Sequence, residues 1–170
     1  DLSGAYLDLT FGRGSHSQEI LNRISPKGSL HAVDRDHEAV SYGKSKIKDL
    51  RFSIYHSNYS SIDSLFPQQK FDGILLDLGT CSTHLDDPMR GFSFQSNGPL
   101  DMRMDISSGF SAAEWLNSAP EKEISDILYE YGEEKASRRI AKAIVQYRAT
   151  KSIKTTIELA KTIETVLKRT

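Results

Sequence analysis

The chain has 170 residues, 38% of them hydrophobic and 26% charged, with a formal net charge of −1. That is the size of one domain with a real core and an ordinary composition for a soluble globular protein. No apolar run approaches the roughly 18 residues of a membrane span, and no basic segment leads into an apolar one as in a signal peptide. The lone Cys81 excludes an internal disulfide framework and fits a reducing compartment. The first residues are Asp1-Leu2 rather than Met, so the chain reads as a processed or trimmed piece.

In chain order, residues 5–9 (AYLDL) predict a short buried strand that breaks into a Gly-rich turn. The helix after it buries Ile20, Leu21 and Ile24, and Pro26-Lys27-Gly28 stops it. Residues 29–33 (SLHAV) form a second strand ending in Asp34-Arg35-Asp36, with a helix over 37–47. Residues 51–55 (RFSIY) and 71–76 (FDGILL) predict a third and a fourth strand, the last an unbroken apolar run. Strands alternating with helices, and reading as continuous apolar runs, predict a parallel α/β sheet.

The rhythm stops at 79–110, a stretch without periodicity whose apolar content (Leu85, Phe92, Phe94, Leu100, Met102) argues for a working loop over a disordered one. Beyond it the chain is helical. Ser111 and Glu114 have capping-box spacing, as do Thr155 and Glu158. Ile124, Ile127, Leu128 and Tyr131 make one apolar stripe, closed by Gly132 at a helix C-terminus, and Ile140, Ile144 and Tyr147 make another. Leu159, Ile163, Val166 and Leu167 follow the second capping box. The expected organisation is an α/β portion, 1–110, that includes the loop 79–110, and a basic helical portion, 111–170. From Lys135 to Thr170 there are ten Lys/Arg against two Glu. This is either a solvated helical face or a footprint for nucleic-acid phosphates.

Three ligand types compete for the loop at Gly12-Arg13-Gly14-Ser15-His16-Ser17. A triphosphate-binding loop needs a Lys followed by Ser/Thr after the glycines, which is absent. A dinucleotide loop needs a third glycine where Ser17 stands. An adenosyl cofactor without a pyrophosphate remains. Asp34, 20 residues after Gly14 at the end of the second strand, is placed to accept both ribose hydroxyls; this selects a ribose without choosing the cofactor. Asp36 is better placed to cap the following helix. Asp77 closes the fourth strand, where an open α/β sheet meets its ligand. Tyr59 either lies against an adenine or packs locally, and His84 either contacts ligand or makes a local hydrogen bond. No Cys/His cluster has metal-ligand spacing, and no G-x-S-x-G elbow marks a serine hydrolase.

The segments "DLTFGRGSHS", "AVDRDHEAV", "FDGILLDLG", "LDDPMRGFSF", "GPLDMRMD", "SAAEWLN" and "YGEEKASRRIAKAIV" occur in an order that resembles the MraW/RsmH family across nearly the whole chain. The resemblance implies a partial Rossmann-like methyltransferase sheet with an attached helical domain. It implies an S-adenosylmethionine-dependent enzyme that methylates N4 of a cytosine in small-subunit ribosomal RNA. Cofactor contacts fall on Gly14, Ser15, His16, Asp34, Tyr59, Asp77 and His84, with no metal. Ser15 stands at a usual glycine, His84 at a usual glutamine and Cys81 at a usual serine. Family members also carry a segment before the first strand and a long carboxyl-terminal part, so the chain resembles a fragment.

The implied reaction needs an acceptor for the amino hydrogens of cytosine. Asp77 and Asp101 are the candidates, with Asp105 third; the alternative role of Asp101 is a salt bridge to Arg103. Arg138, Arg139 and Lys142 would hold RNA phosphates. The expected partner is small-subunit ribosomal RNA or the assembled small subunit. The expected compartment is the bacterial cytoplasm, or a mitochondrion or plastid in a eukaryote. The competing reading is a non-catalytic RNA-binding or ribosome-assembly module that keeps the methyltransferase fold. An NAD-dependent oxidoreductase is a third, disfavoured by Ser17.

Overall fold

A computed structural model describes residues 1–167, which divide into two compact units, Asp1–Cys81 and Ser82 onward. The first is an α/β unit: β1 (Ala5–Asp8), α1 (Ser15–Arg23), β2 (Ser29–Asp34), α2 (His37–Lys46), β3 (Phe52–His56), a 3₁₀ turn (Tyr59–Ser61), α3 (Ile62–Leu65) and β4 (Gly73–Leu75). The four strands are parallel in the order β3-β2-β1-β4. The chain therefore winds outward from β1 to β3 and then crosses to the other side of β1. That reversal opens a crevice at the carboxyl ends of β1 and β4, the usual ligand position in such sheets.

Register explains how the core is built. Tyr6, Leu30 and Phe52 lie side by side across β1, β2 and β3. Leu30 packs with Leu21 and Ile24, from α1 and its C-cap, while Ala32 packs with Phe11 and with Ala39 of α2. The opposite face carries Leu7, His31, Val33 and Tyr55. There His31 stacks on Tyr55, and Phe66 and Phe71 meet the imidazole edge to face. Burial lowers the His31 pKa, keeping this cluster neutral.

The strand expected over 71–76 is three residues long and lies at an edge of the sheet. Only β1 pairs with it among the described residues, so its apolar run is not buried. Ile74, Leu76 and Leu78 are 59%, 47% and 66% exposed.

The second unit contains α4 (Ser82–Asp86), a 3₁₀ turn (Pro88–Arg90), α5 (Ala112–Ser118), α6 (Glu121–Glu130), α7 (Ser137–Arg148) and α8 (Thr156–Glu164). Leu116, Ile124, Ile140, Ala141, Ile144 and Ile153 form its core. Both capping boxes are present, Ser111 with Glu114 and Thr155 with Glu158. The stripe on α6 is narrower than its spacing suggests: Ile124 is fully buried, whereas Tyr131 is exposed as the C-cap residue. The left-handed residue after that helix is Glu133 (φ 51°), not Gly132.

The compact units divide at Cys81/Ser82, and the 82–110 stretch is woven into the helices. The Leu100 amide donates to the Lys154 carbonyl at 2.9 Å, Ala113 N–H donates to the Leu100 carbonyl at 2.8 Å, and Pro99 bridges Thr155. Leu100 itself is in the helical core.

The start of α8 is pH-sensitive. Hydrogen bonds from the Lys151 ammonium and the Lys154 amide hold Glu158 down to about 2. A depressed carboxylate contributes stability above its ordinary pKa of about 4.3 and loses it as pH falls through the folded value. Glu158→Gln is thus expected to melt below the parent chain at pH 6, with the two curves converging between about pH 4 and 2. Parallel thermal melts across that range check it.

Candidate functional site

The site is built on the carboxyl edge of the α/β sheet. The chain leaves β1 at Asp8, whose carboxylate is fully buried. One oxygen accepts the Thr10 amide at 3.1 Å and the other accepts the Ser17 hydroxyl at 2.7 Å. The single carboxylate thereby ties the strand end, the loop and the first turn of α1 together. Burial is the largest influence on Asp8 and raises its pKa, against the Ser17 and Thr10 hydrogen bonds that lower it. Sequence reasoning missed this residue because it lies inside the strand-like run AYLDL. The signal available was a carboxylate nine residues before a serine at the helix start.

Gly14 is the N-cap of α1, in the left-handed region (φ 77°), and a Cβ there would strike the Phe11 ring at 2.6 Å. With no side chain on the cap and Ser17 turned to Asp8, no side chain among the described residues caps the first amides of α1. Together with the helix dipole they form a seat for a carboxylate or another anion. Gly12 is different. A Cβ there would meet only Cys81, at 3.9 Å, so the loop opens onto space at that point.

Asp34 reaches across to this loop. One of its oxygens accepts the Gly12 amide at 2.7 Å and the other accepts the Asp36 amide at 2.8 Å. Carboxylate oxygens each have a second acceptor direction, so a ribose can still be held. Asp36 caps α2 by accepting the Glu38 amide at 2.9 Å, the task assigned to it from spacing.

On the other side of β1, the Asp77 amide donates to Thr10 Oγ1 at 2.8 Å, and its carboxylate lies 3.9 Å from His16 Nδ1. The Asp77 side chain is 67% exposed, so it is available to a ligand. Gly14, Ser15, His16, Asp34 and Asp77 are therefore brought together around one loop. Tyr59 begins the 3₁₀ turn that follows β3 and presents an exposed ring on the β3 side of the same unit.

His84 and Asp101 belong to the second unit. His84 is buried there and stacks on Phe92 with ring centroids 5.3 Å apart. Asp101 is clamped by Arg103, whose Nε and Nη2 donate to its two oxygens at 2.9 and 2.7 Å. This fork holds the Asp101 carboxyl below the usual range and makes it a weak base. The salt-bridge role considered for Asp101 is present. Asp105 accepts from the Ser107 amide and from the Ser107 and Ser108 hydroxyls.

The basic residues of the helices divide by occupation. Arg139 donates to the Val166 carbonyl and Arg148 to the Leu116 carbonyl, so both hold the ends of neighbouring segments. Lys151 pairs with Glu158. Arg138 and Lys142 are exposed on α7, opposite its buried stripe of Ser137, Ile140, Ala141 and Ile144.

An open parallel sheet with a glycine loop and acidic strand ends defines a Rossmann-like protein with a crevice at its switch point. The chain matches the MraW methylase family over residues 2–170, and it belongs to that family. Three curated relatives are each named ribosomal RNA small subunit methyltransferase H. The one from Pseudoalteromonas atlantica is 50% identical, covering 95% of this chain and 53% of the relative. That from Xylella fastidiosa is 48% identical, covering 99% and 54%; that from Legionella pneumophila is 49% identical, covering 95% and 54%. The chain spans about half the length of these relatives. Among the described residues no helix is long and apolar enough to cross a membrane, and no group of His, Cys, Asp and Glu is arranged to hold a metal.

The position of Asp8 yields a pH prediction. Its folded pKa lies above the ordinary value, so its contribution to stability is fully present below about pH 3.9 and is lost as pH rises through the folded pKa. Asp8→Asn is expected to flatten that decline in melts above pH 4. Asp8→Ala strands the Ser17 hydroxyl and costs about 1–3 kcal/mol.

Proposed function

We propose that the chain is the methyl-donor-binding and RNA-contacting portion of a methyltransferase that transfers a methyl group from S-adenosylmethionine to N4 of a cytosine in small-subunit ribosomal RNA. The observation that carries the donor assignment is the charge of the seat. Asp34 and Asp77 stand at the carboxyl ends of the strands on either side of β1, and the one arginine in the loop, Arg13, lies over the Tyr42 ring at 5.0 Å. A pyrophosphate or triphosphate would bring more negative charge to these carboxylates without a lysine to offset it. A ligand with a sulfonium and an ammonium complements them.

The residues present fit such a cofactor. Asp34 would hold the ribose hydroxyls, the α1 amides at Ser15 and His16 would receive the cofactor carboxylate, and Tyr59 would cover the adenine. At Gly12 the loop leaves room for a ligand, since a Cβ there would meet only Cys81 at 3.9 Å. The family resemblance also assigns a cofactor contact to His84, which within its own unit is buried and stacked on Phe92. When bound, the cofactor supplies an electrophilic methyl group.

Cytosine N4 is a poor nucleophile because its lone pair is delocalised into the ring, so the protein must take up the hydrogens of the amino group as charge develops. Asp77 is the proposed acceptor. It is exposed, its backbone is fixed by Thr10, and its neighbour is the His16 imidazole rather than an arginine fork. Asp101 is the weaker base; its proposed part is to organise its loop through Arg103. Arg138 and Lys142 are the proposed phosphate contacts, and Arg139 supports them structurally from the same helix. The proposed partner is small-subunit ribosomal RNA or the small subunit, in the bacterial cytoplasm or an organelle of bacterial descent.

Calorimetry tests the seat. S-adenosylmethionine should bind and reduced NAD should not, and Asp34→Asn should weaken binding about tenfold or more by removing charge-assisted hydrogen bonds. Absence of binding to the parent chain, or tighter binding of the dinucleotide, would overturn the assignment. Small ribosomal subunits incubated with the protein and deuterium-labelled donor should then yield labelled N4-methylcytidine on nucleoside mass spectrometry. Donor binding without labelled product would favour the non-catalytic assembly module.

A further inference from the structure

Met102 is in the left-handed region, with φ 62°. For a long side chain this is an uncommon and strained conformation, and such residues persist only where their surroundings over-determine them. The surroundings here are visible. Arg90 is buried, and its Nη2 donates to the carbonyls of Arg103 at 3.2 Å and Met104 at 2.9 Å. The Met102 amide donates to the Arg90 carbonyl at 3.0 Å. One residue earlier, Asp101 is locked to Arg103 by the fork described above, and the Arg103 amide also donates to Asp101 Oδ1 at 3.0 Å. Gly91 permits the two strands of this knot to touch, because a Cβ there would strike the Asp101 amide and the Pro99 carbonyl.

The knot fixes the backbone on both sides of Met102, yet the Met102 side chain is not part of any core. It is 47% exposed, and the same segment also exposes Met89, Phe94, Ile106 and Phe110. A loop this tightly hydrogen-bonded does not need an exposed thioether for its own stability. It presents one to solvent from a fixed stretch of backbone.

We propose that Met102 is a substrate-contact residue whose side chain packs against an unstacked nucleobase of single-stranded RNA, resting on the reading of RNA as the substrate. The occupant follows from charge. The same unit presents Arg138 and Lys142, exposed and without a partner among the described residues, as its basic face. Fixed apolar prongs combined with mobile cations are the means by which single strands are held: cations track the phosphates while apolar and aromatic groups take the base faces. Preorganisation of the loop spares the protein the backbone entropy of positioning Met102 when RNA arrives.

The test measures fluorescence anisotropy of a labelled oligocytidylate and of a matched abasic oligonucleotide, with the parent chain and with Met102→Gly. Glycine accepts the left-handed backbone, so the variant should keep the melting temperature of the parent. The parent should prefer the oligocytidylate; the variant should bind it at least about fivefold more weakly, in the range of one lost base contact. The abasic strand should bind both alike. S-adenosylmethionine affinity should be unchanged in the variant, so a failure of the donor site is read separately. Equal oligocytidylate affinity for the two proteins, or no RNA binding by the parent, would overturn the proposal. So would a lowered melting temperature in Met102→Gly, because the side chain would then be a packing element.

Discussion

The carboxylate of Asp8 is the constraint on which the ligand seat depends. A buried carboxylate is costly unless its oxygens are satisfied. Here the two partners that satisfy it, the Thr10 amide and the Ser17 hydroxyl, are the two ends of the loop itself. The loop is therefore held closed by the group that its strand would otherwise have had to expel. From that closure follow the left-handed turn at Gly14, the free amides of α1 and the position of Thr10, which in turn fixes Asp77. Asp34 closes the arrangement from the neighbouring strand through the Gly12 amide.

The second unit uses charge differently. Its cations are placed first for architecture: Arg90 inside a loop, Arg103 on Asp101, Arg139 and Arg148 on carbonyls at segment ends, Lys151 on Glu158. A local excess of Lys and Arg thus overstates the charge offered to a polyanion. What is left on the surface of α7 is a smaller and more directional set.

Much of the α/β unit could be read from the sequence because it is set by local signals. Alternating strand and helix patterns, the glycine break after AYLDL and the carboxylates at strand ends all act over a few residues. The capping boxes at Ser111 and Thr155 were legible for the same reason. Asp8 was not, since a lone acid within an apolar strand carries no local sign of its partner at Ser17. The role of the 82–110 stretch was hidden in a different way. Its order comes from contacts with residues fifty or more positions away, such as Leu100 with Lys154, and periodicity has no access to those. The stripe on α6 failed at Tyr131, where helical spacing continues past the point at which the helix has anything to pack against.

The outer rim of β4 has a consequence for how the molecule behaves in bulk. Among the described residues β4 has one neighbour, which leaves a row of backbone donors and acceptors facing outward, with exposed Ile74 in the strand and exposed Leu76 and Leu78 just beyond it. Such an edge is a template: an extended segment that pairs with it covers the backbone row and gains apolar contact in the same step. Its neighbours along the rim carry the Asp77 carboxylate, whose negative charge disfavours the close approach of an identical edge. A charged side chain so placed is one of the ways in which an open sheet edge is guarded against pairing with its own copies.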